Sequence, residues 1–303
     1  MTIGYVGLGS MGGALARRLQ LTHPLRVYDL NPQVVTRMVE AGASGCASLA
    51  ELAAGCNIIF LCLPKSEHVR AAIFGLDGLA PALKPGTLLV DQTTGDPKAT
   101  REMAAELAPR GVTLIDAPVS GGAAGAQAGT IAIMLGAEEP ERARIAPLLA
   151  AISPNVFHAG GVGTGQAMKL VNNLVSGAQR LLSMEGLALA AKSGIAPERA
   201  LQILAAGGAR NAFFEKQAMP ILQGKMDVGF TLGLMAKDMR LACEFSADSG
   251  VPVFFGSVAQ EVYKMCISQM GPEAQVTTAA IVMDRLAGTQ VVASCPPATT
   301  PSS

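Results

Sequence analysis

Gly7-Leu8-Gly9-Ser10-Met11-Gly12, directly after the β-rich run at 3–6 and at the head of an amphipathic stretch over 11–21, decides how the chain is read. The spacing G-x-G-x-x-G at a strand-to-helix junction gives each glycine a task. The first permits the tight turn, the second lets backbone approach a pyrophosphate, and the third allows helix and strand to pack closely. The N–H groups and dipole at the helix start then face the phosphates. Alone, the six letters fit a glycine turn without a ligand equally well. Asp29 strengthens the dinucleotide reading, because it ends the second β-rich run 22 residues after Gly7. A carboxylate there accepts hydrogen bonds from an adenosine ribose and repels the 2′-phosphate of NADP. NAD is the expected cofactor and NADP the secondary candidate.

Outward from this stretch, short β-rich runs at 3–6, 26–28, 57–63, 87–90 and 112–115 alternate with helical segments at 11–21, 32–41 and 97–110. The last two carry Pro in their first turn, where its missing N–H is harmless. Such alternation predicts an α/β fold with a doubly wound, mostly parallel sheet; 130–135 and 155–157 would add strands. After Gly160, Gly161, Gly163 and Gly165 the pattern changes, with no proline between Pro154 and Pro197. A helix over 166–192 would run roughly 40 Å, long enough to connect two domains. Helices at 197–205, 213–223, 234–249, 253–270 and 274–286 make the second domain all-α. The expected division is 1–162 for the dinucleotide domain, 163–192 for the connecting helix and 193–292 for the helical domain. A Pro/Ser/Thr-rich tail over 293–303 is too polar to pack and is expected to be disordered.

Composition excludes several partners. Of 303 residues half are hydrophobic, and 23 Lys plus Arg balance 23 Asp plus Glu, leaving no basic footprint for nucleic acid or an anionic membrane. No apolar run reaches the ~18 residues of a membrane span. The N-terminal apolar stretch precedes Arg17-Arg18 instead of following a basic segment, unlike a signal peptide; a cytoplasmic location is expected. The six cysteines form no C-x-x-C pair and read as small buried hydrophobes. His23, His68 and His158 are scattered, so no metal site is expected.

Two further segments carry chemistry. Asp116-Ala117-Pro118-Val119-Ser120-Gly121-Gly122 follows a strand and runs on through small residues to Thr130. Such density leaves backbone N–H groups uncovered, as an anion cradle requires, although composition alone fits a flexible loop as well. Lys169 and Asn173, i and i+4 on the long helix, share a face. A solvated lysine beside a surface amide is the plain alternative.

With Gly7–Gly12, 116–130, 163–173 and Lys237-Asp238-Met239-Arg240-Leu241-Ala242 in this order, the chain resembles the β-hydroxyacid dehydrogenase family over nearly its whole length. The resemblance implies a Rossmann-type domain, a connecting helix and a helical domain that builds dimers or tetramers. It implies Lys169 as catalytic acid/base, and Ser120, Gly121 and Gly122 as holders of a small substrate's carboxylate, with Asn173 beside them. Lys237 would lie near nicotinamide and substrate, Leu63, Pro64 and Thr94 would contact cofactor together with Gly7, Leu8, Gly9, Ser10, Met11, Gly12 and Asp29, and Phe230 would wall the pocket. As a bare feature Phe230 fits the helical core equally well. His68 stands where many relatives have Asn, as a cofactor donor or an ordinary loop histidine. Gly13-Ala14-Leu15 and Gln92-Thr93-Thr94-Gly95 also depart from common patterns.

The expected reaction is reversible, NAD(H)-dependent interconversion of a small β-hydroxyacid and its semialdehyde. The Lys169 ammonium would protonate the developing alkoxide in reduction, and neutral Lys169 would take the hydroxyl proton in oxidation. The absence of His after His158 leaves no histidine base in the second half. Imine reduction on the same architecture, or an idle nucleotide-sensing scaffold, are the alternatives; retention of Lys169 and Ser120-Gly121-Gly122 counts against both.

Overall fold

The computed structural model describes residues 2–293. It divides into two compact units, Met1–Leu170 and Val171–Ser303. The expected disordered tail lies outside the described residues except for Ala293, whose N–H donates to the Leu222 carbonyl at 3.0 Å and is therefore held.

In the first unit, strands β1 (Ile3–Val6), β2 (Leu25–Tyr28), β3 (Ser44–Gly45), β4 (Ile58–Leu61), β5 (Leu88–Asp91) and β6 (Thr113–Asp116) are parallel in the order β3-β2-β1-β4-β5-β6. Beyond β6 comes β8 (Ala132–Gly136), antiparallel to β6, which pairs with β7 (Val119–Ser120), also antiparallel, and with β9 (Val156–Gly160), which runs parallel to it. The sheet is mostly parallel, and its central strands β1, β4 and β5 are buried on both faces. Ile58 and Phe60 of β4 pack with Tyr5, Val27, Leu88 and Val90, whereas Ile59 and Leu61 pack with Val6, Leu89 and Leu114. Period-two side chains thus feed two cores, which is why the strands read as continuous apolar runs with few charges.

Helices α1 (Ser10–Gln20), α2 (Pro32–Glu40), α3 (Leu49–Gly55), α4 (Ser66–Phe74), α5 (Pro97–Leu107), α6 (Gly122–Ala128) and α7 (Glu139–Ile152) accompany the sheet. α2 and α5 start as their sequences predict, with Asn31 and Asp96 side chains accepting from the N–H groups of Gln33 and Lys98 ahead of the N-terminal Pro. Helix α8 (Thr164–Lys192) matches the long predicted helix, begun two residues earlier.

The structure removes two alternatives and corrects one expectation. Residues 122–128 form α6 instead of a flexible loop, closed by Gly129 in the left-handed region at φ 69°. His68 is no loop histidine but sits exposed in the first turn of α4. Of the five described cysteines, all free, Cys46, Cys56 and Cys266 are buried, but Cys62 and Cys243 are only half-buried.

The second unit takes the remainder of α8 with α9 (Pro197–Ala206), α10 (Ala212–Lys216), α11 (Ala218–Leu222), α12 (Leu232–Ser249), α13 (Phe254–Met270) and α14 (Ala279–Ala287). Apart from one bridge between Thr231 and Gln275 it is helical. The helix expected over 213–223 is interrupted at Gln217, and that over 274–286 begins as a 3-10 turn at Val276–Thr278. One apolar core unites Leu181, Met184, Met235, Met239, Tyr263 and Val282. Among the described residues no helix is long and apolar enough to cross a membrane.

Candidate active site

The glycine loop follows β1 and opens α1, and its three glycines differ physically. Gly7 has φ 90°, a conformation that L side chains rarely adopt, and a Cβ there would strike the Cys62 carbonyl. A Cβ at Gly12 would collide with the Gly7 carbonyl and come within 3.1 Å of Cys62 Cβ, so this glycine closes helix against strand. At Gly9 a Cβ would meet no protein atom within 4 Å, so protein packing does not account for glycine there. Backbone access for a bound group would. Gly9 and Ser10 are exposed, Met11 is half-buried, and Leu8 is buried. This cradle fits a dinucleotide pyrophosphate.

Asp29, half-buried at the end of β2, is bonded to the loop itself. Its Oδ2 accepts from the Leu8 N–H at 2.6 Å and its Oδ1 from the Asn31 N–H at 2.8 Å. The carboxylate therefore holds the glycine loop as well as presenting charge beside it. A side-chain acceptor on a neighbouring parallel strand end reaches the loop because β1 and β2 pair in register, Val6 opposite Tyr28.

Leu63 and Pro64 follow β4, on the strand next to β1. The Leu63 N–H donates to Thr93 Oγ1 at 3.0 Å, and Leu63 Cδ2 would lie 2.9 Å from a Cβ on Gly7. The loop after β5 carries Thr94, half-buried, between Thr93 and Gly95. Ser66 of α4 braces it, accepting from the Asp96 N–H at 2.9 Å. The structure thus gathers Gly7, Leu8, Asp29 and Leu63 at adjacent strand ends. His68 is not drawn into this bonding among the described contacts; its side chain is exposed.

Ser120 ends β7, opposite Ala132, and Gly121 and Gly122 lead exposed into α6 with φ 139° and 70°. Both glycines hold backbone that other residues adopt only with strain. Asp116, the last residue of β6 and fully buried, is occupied elsewhere: its Oδ1 accepts from the Gly163 N–H at 2.6 Å and its Oδ2 from the Gln166 N–H at 2.7 Å, at the start of α8. Burial pushes this carboxyl up to about 6 from 3.8, outweighing the backbone N–H groups that favour its charge. One turn on, Lys169 is buried at 7% exposure.

In the second unit Asn173, also buried, donates from Nδ2 to Asp238 Oδ2 at 2.6 Å, and its Oδ1 accepts from Asn172 Nδ2 at 2.9 Å. The Lys237 ammonium lies 2.8 Å from Asp238 Oδ1. Asp238 therefore joins the two polar residues that sequence reading singled out, and it was not among them. Neighbours in a helix point about 100° apart, so spacing did not suggest that Lys237 and Asp238 meet; the Lys-Asp-Met motif was the available signal. Phe230 is half-buried and packs on the helical core. Among the described residues no three His, Cys, Asp or Glu side chains gather as a metal would require.

Comparison with known proteins agrees with this layout. Residues 2–161 match the NAD binding domain of 6-phosphogluconate dehydrogenase, and 163–283 match the NAD-binding domain of NADP-dependent 3-hydroxyisobutyrate dehydrogenase. The chain is 37% identical over 265 residues to 2-(hydroxymethyl)glutarate dehydrogenase of Eubacterium barkeri, covering 86% of this chain and 88% of that protein. It is 35% identical over 277 residues to a probable mitochondrial 3-hydroxyisobutyrate dehydrogenase of Dictyostelium discoideum, covering 88% and 86%. The solved Mycobacterium tuberculosis 3-hydroxyisobutyrate dehydrogenase with L-serine superposes with a TM-score of 0.83 at 29% identity, over 93% of this chain and 98% of that one. With the glycine cradle, the Rossmann-type sheet and these relatives in agreement, the chain belongs to the β-hydroxyacid dehydrogenase family, oxidoreductases of CH–OH groups that use a nicotinamide dinucleotide.

Proposed function

We propose that the protein interconverts a small β-hydroxyacid and its semialdehyde, with Lys169 as general acid/base and NAD(H) as preferred cofactor. The observation that carries this reading is Lys169 itself, a lysine only 7% exposed on a helix whose first turn is bonded to the strand-end loops. An amine held at that place, beside the strand-end loops, can hand a proton to a substrate oxygen or take one from it.

The cofactor, when bound, supplies or accepts hydride at its nicotinamide. The chain's own residues do the rest. Gly7, Gly9 and Gly12 give the pyrophosphate access to backbone N–H groups, and Asp29 accepts from the ribose hydroxyls. Ser120, with the N–H groups of Gly121 and Gly122, binds the substrate carboxylate. In reduction the Lys169 ammonium donates its proton to the carbonyl oxygen as negative charge develops there; in oxidation its amine removes the hydroxyl proton. Asn173 and Lys237 orient polar groups of the substrate, and Asp238 holds both in place.

NAD preference rests on the Asp29 carboxylate, which would face a 2′-phosphate with like charge. A homo-oligomeric, cytoplasmic enzyme is the setting we infer. On α8 the exposed Val171, Val175, Leu182 and Leu189 fall on one stripe, and Phe254, Phe255 and Val258 are exposed on α13, apolar surface suited to a second copy. The test of function is initial rates at 340 nm with NADH and NADPH over a panel of tartronate, succinic and methylmalonate semialdehydes, glyoxylate and sulfonated analogues. One or more should be reduced with NADH favoured. No turnover across the panel and its hydroxyacids would count against a dehydrogenase.

A further inference from the structure

Gln166 is fully buried in the first turn of α8, and its carboxamide is engaged at both ends within the first unit. Its Oε1 accepts from the Gly95 N–H at 2.9 Å, and its Nε2 donates to the Thr93 carbonyl at 2.7 Å. Its backbone N–H donates to Asp116, which also receives the Gly163 N–H. Thr93 in turn accepts from the Leu63 N–H through its hydroxyl, and its own N–H donates to Asp91 Oδ1 at 2.9 Å. A chain of hydrogen bonds therefore runs from Leu63, beside the glycine loop, through the Thr93–Gly95 loop to the helix that bears Lys169 three residues later.

The helix has little freedom to slip. A Cβ on Gly165 would strike the Met134 carbonyl and lie 2.8 Å from Asp116 Oδ2, and one on Gly95 would lie 2.5 Å from Ser66 Oγ. The first turn of α8 and the loop after β5 are pressed onto their neighbours, and glycine is what allows it.

We propose that Gln166 is a positioning residue, whose carboxamide ties the first turn of α8, and with it Lys169, to the Thr93–Gly95 loop that carries the cofactor residue Thr94. The assignment deepens the dehydrogenase reading and rests on it for the role of Lys169. Gln166 touches no reacting group. Its requirement is for one acceptor and one donor at the end of the same side chain, facing a backbone N–H and a backbone C=O. Leu offers neither. Glu offers both only when protonated; ionised, it sets an oxygen against the Thr93 carbonyl.

That asymmetry supplies the test. The charged groups around this turn are Asp116 from β6, which accepts from the Gly163 and Gln166 N–H groups, Arg101 from α5, whose guanidinium lies against Gly163, and Asp91 from β5, which accepts from the Thr93 N–H, with Lys169 on the helix itself; all are present in parent and variants, so rates are read as variant-to-parent ratios. Gln166→Leu should lower kcat by about 10- to 100-fold at every pH, with KM for the semialdehyde within about threefold, as lost alignment predicts. Gln166→Glu should match that loss at pH 8.5 and recover at least about fivefold of it by pH 6 as the carboxyl regains its proton. Hydrogen–deuterium exchange reads the tie without catalysis: the Gly95 amide, whose partner is Gln166, should exchange at least about tenfold faster in Gln166→Leu, while β1 and β4 amides stay unchanged. Parent-like kcat in folded Gln166→Leu, a Glu deficit equal at both pH values, unchanged Gly95 exchange, or failure of both variants to fold would each overturn the proposal. Absence of turnover by the parent protein would instead refute the dehydrogenase reading, and the Gly95 exchange would still decide whether the tie exists.

Discussion

Replacing Asp29 by Ala probes cofactor choice through two separable effects. The carboxylate accepts from Leu8 N–H at 2.6 Å and Asn31 N–H at 2.8 Å. Its removal leaves the Leu8 N–H, on a buried residue, without its charged acceptor, at a loss of roughly 1.5–3 kcal/mol for a hydrogen bond to a charged group. That loss loosens the glycine loop and weakens both cofactors alike. The second effect separates them. A 2′-phosphate of charge near −2 brought to about 5 Å from a carboxylate is repelled by ~1.7 kcal/mol even at the dielectric constant of water, and by about twice that if the pocket halves it. The preference for NADH over NADPH should therefore fall by about 20-fold or more in Asp29→Ala. Initial rates at 340 nm with both cofactors give the ratio of kcat/KM values, and a thermal melt separates loop loosening from unfolding. In the parent the ratio should shrink as salt is raised, since exposed charges are screened over a Debye length. A parent that uses NADPH as well as NADH, or a ratio unmoved by the substitution, would refute the reasoning.

Other expectations follow from the same geometry. Gly9→Ala, where a Cβ meets nothing within 4 Å, should leave the melting temperature within about 2 °C but weaken NADH binding at least about tenfold. Gly12→Ala, where the Cβ would collide with the Gly7 carbonyl, should lose stability as well as binding; melts and NADH fluorescence titrations distinguish the two. Asp116, raised to about 6 from 3.8 by burial, is protonated more readily in the folded than in the unfolded chain. This group therefore adds stability as pH falls from about 7.5 to about 5, and Asp116→Asn, which cannot titrate, forgoes that gain. In urea denaturation the stability of the parent relative to the Asp116→Asn variant should rise by about 1 kcal/mol between those pH values; a fall instead would mean that the backbone N–H groups prevail over burial.

The sequence disclosed local features and concealed long-range ones. The glycine loop and Asp29 were legible because their task is set by spacing within one βαβ unit, and α8 because nothing interrupts its helix formers. α6 was opaque: Gly-Ala-Ala-Gly-Ala-Gln-Ala has no apolar stripe to mark a helix, and it forms one where Gly129 can close it. α7 hid behind the internal Pro147, and α4, as long as α2, lacks the capping side chain and first-turn Pro that marked α2. The partners of Gln166 lie 71 and 73 residues away, and Asp116 reaches 47 and 50 residues ahead. No periodicity announces such bonds. Asp238 was masked by its neighbour, since a lysine next to an aspartate on a helix reads as two separate faces.

The central claim, that a buried helix lysine moves the proton, is tested most directly by Lys169→Ala. With a semialdehyde that the parent reduces, turnover should fall by about a thousandfold, within the range a general acid contributes, while NADH affinity by fluorescence stays within about threefold. A variant that keeps turnover within about tenfold of the parent would contradict the account.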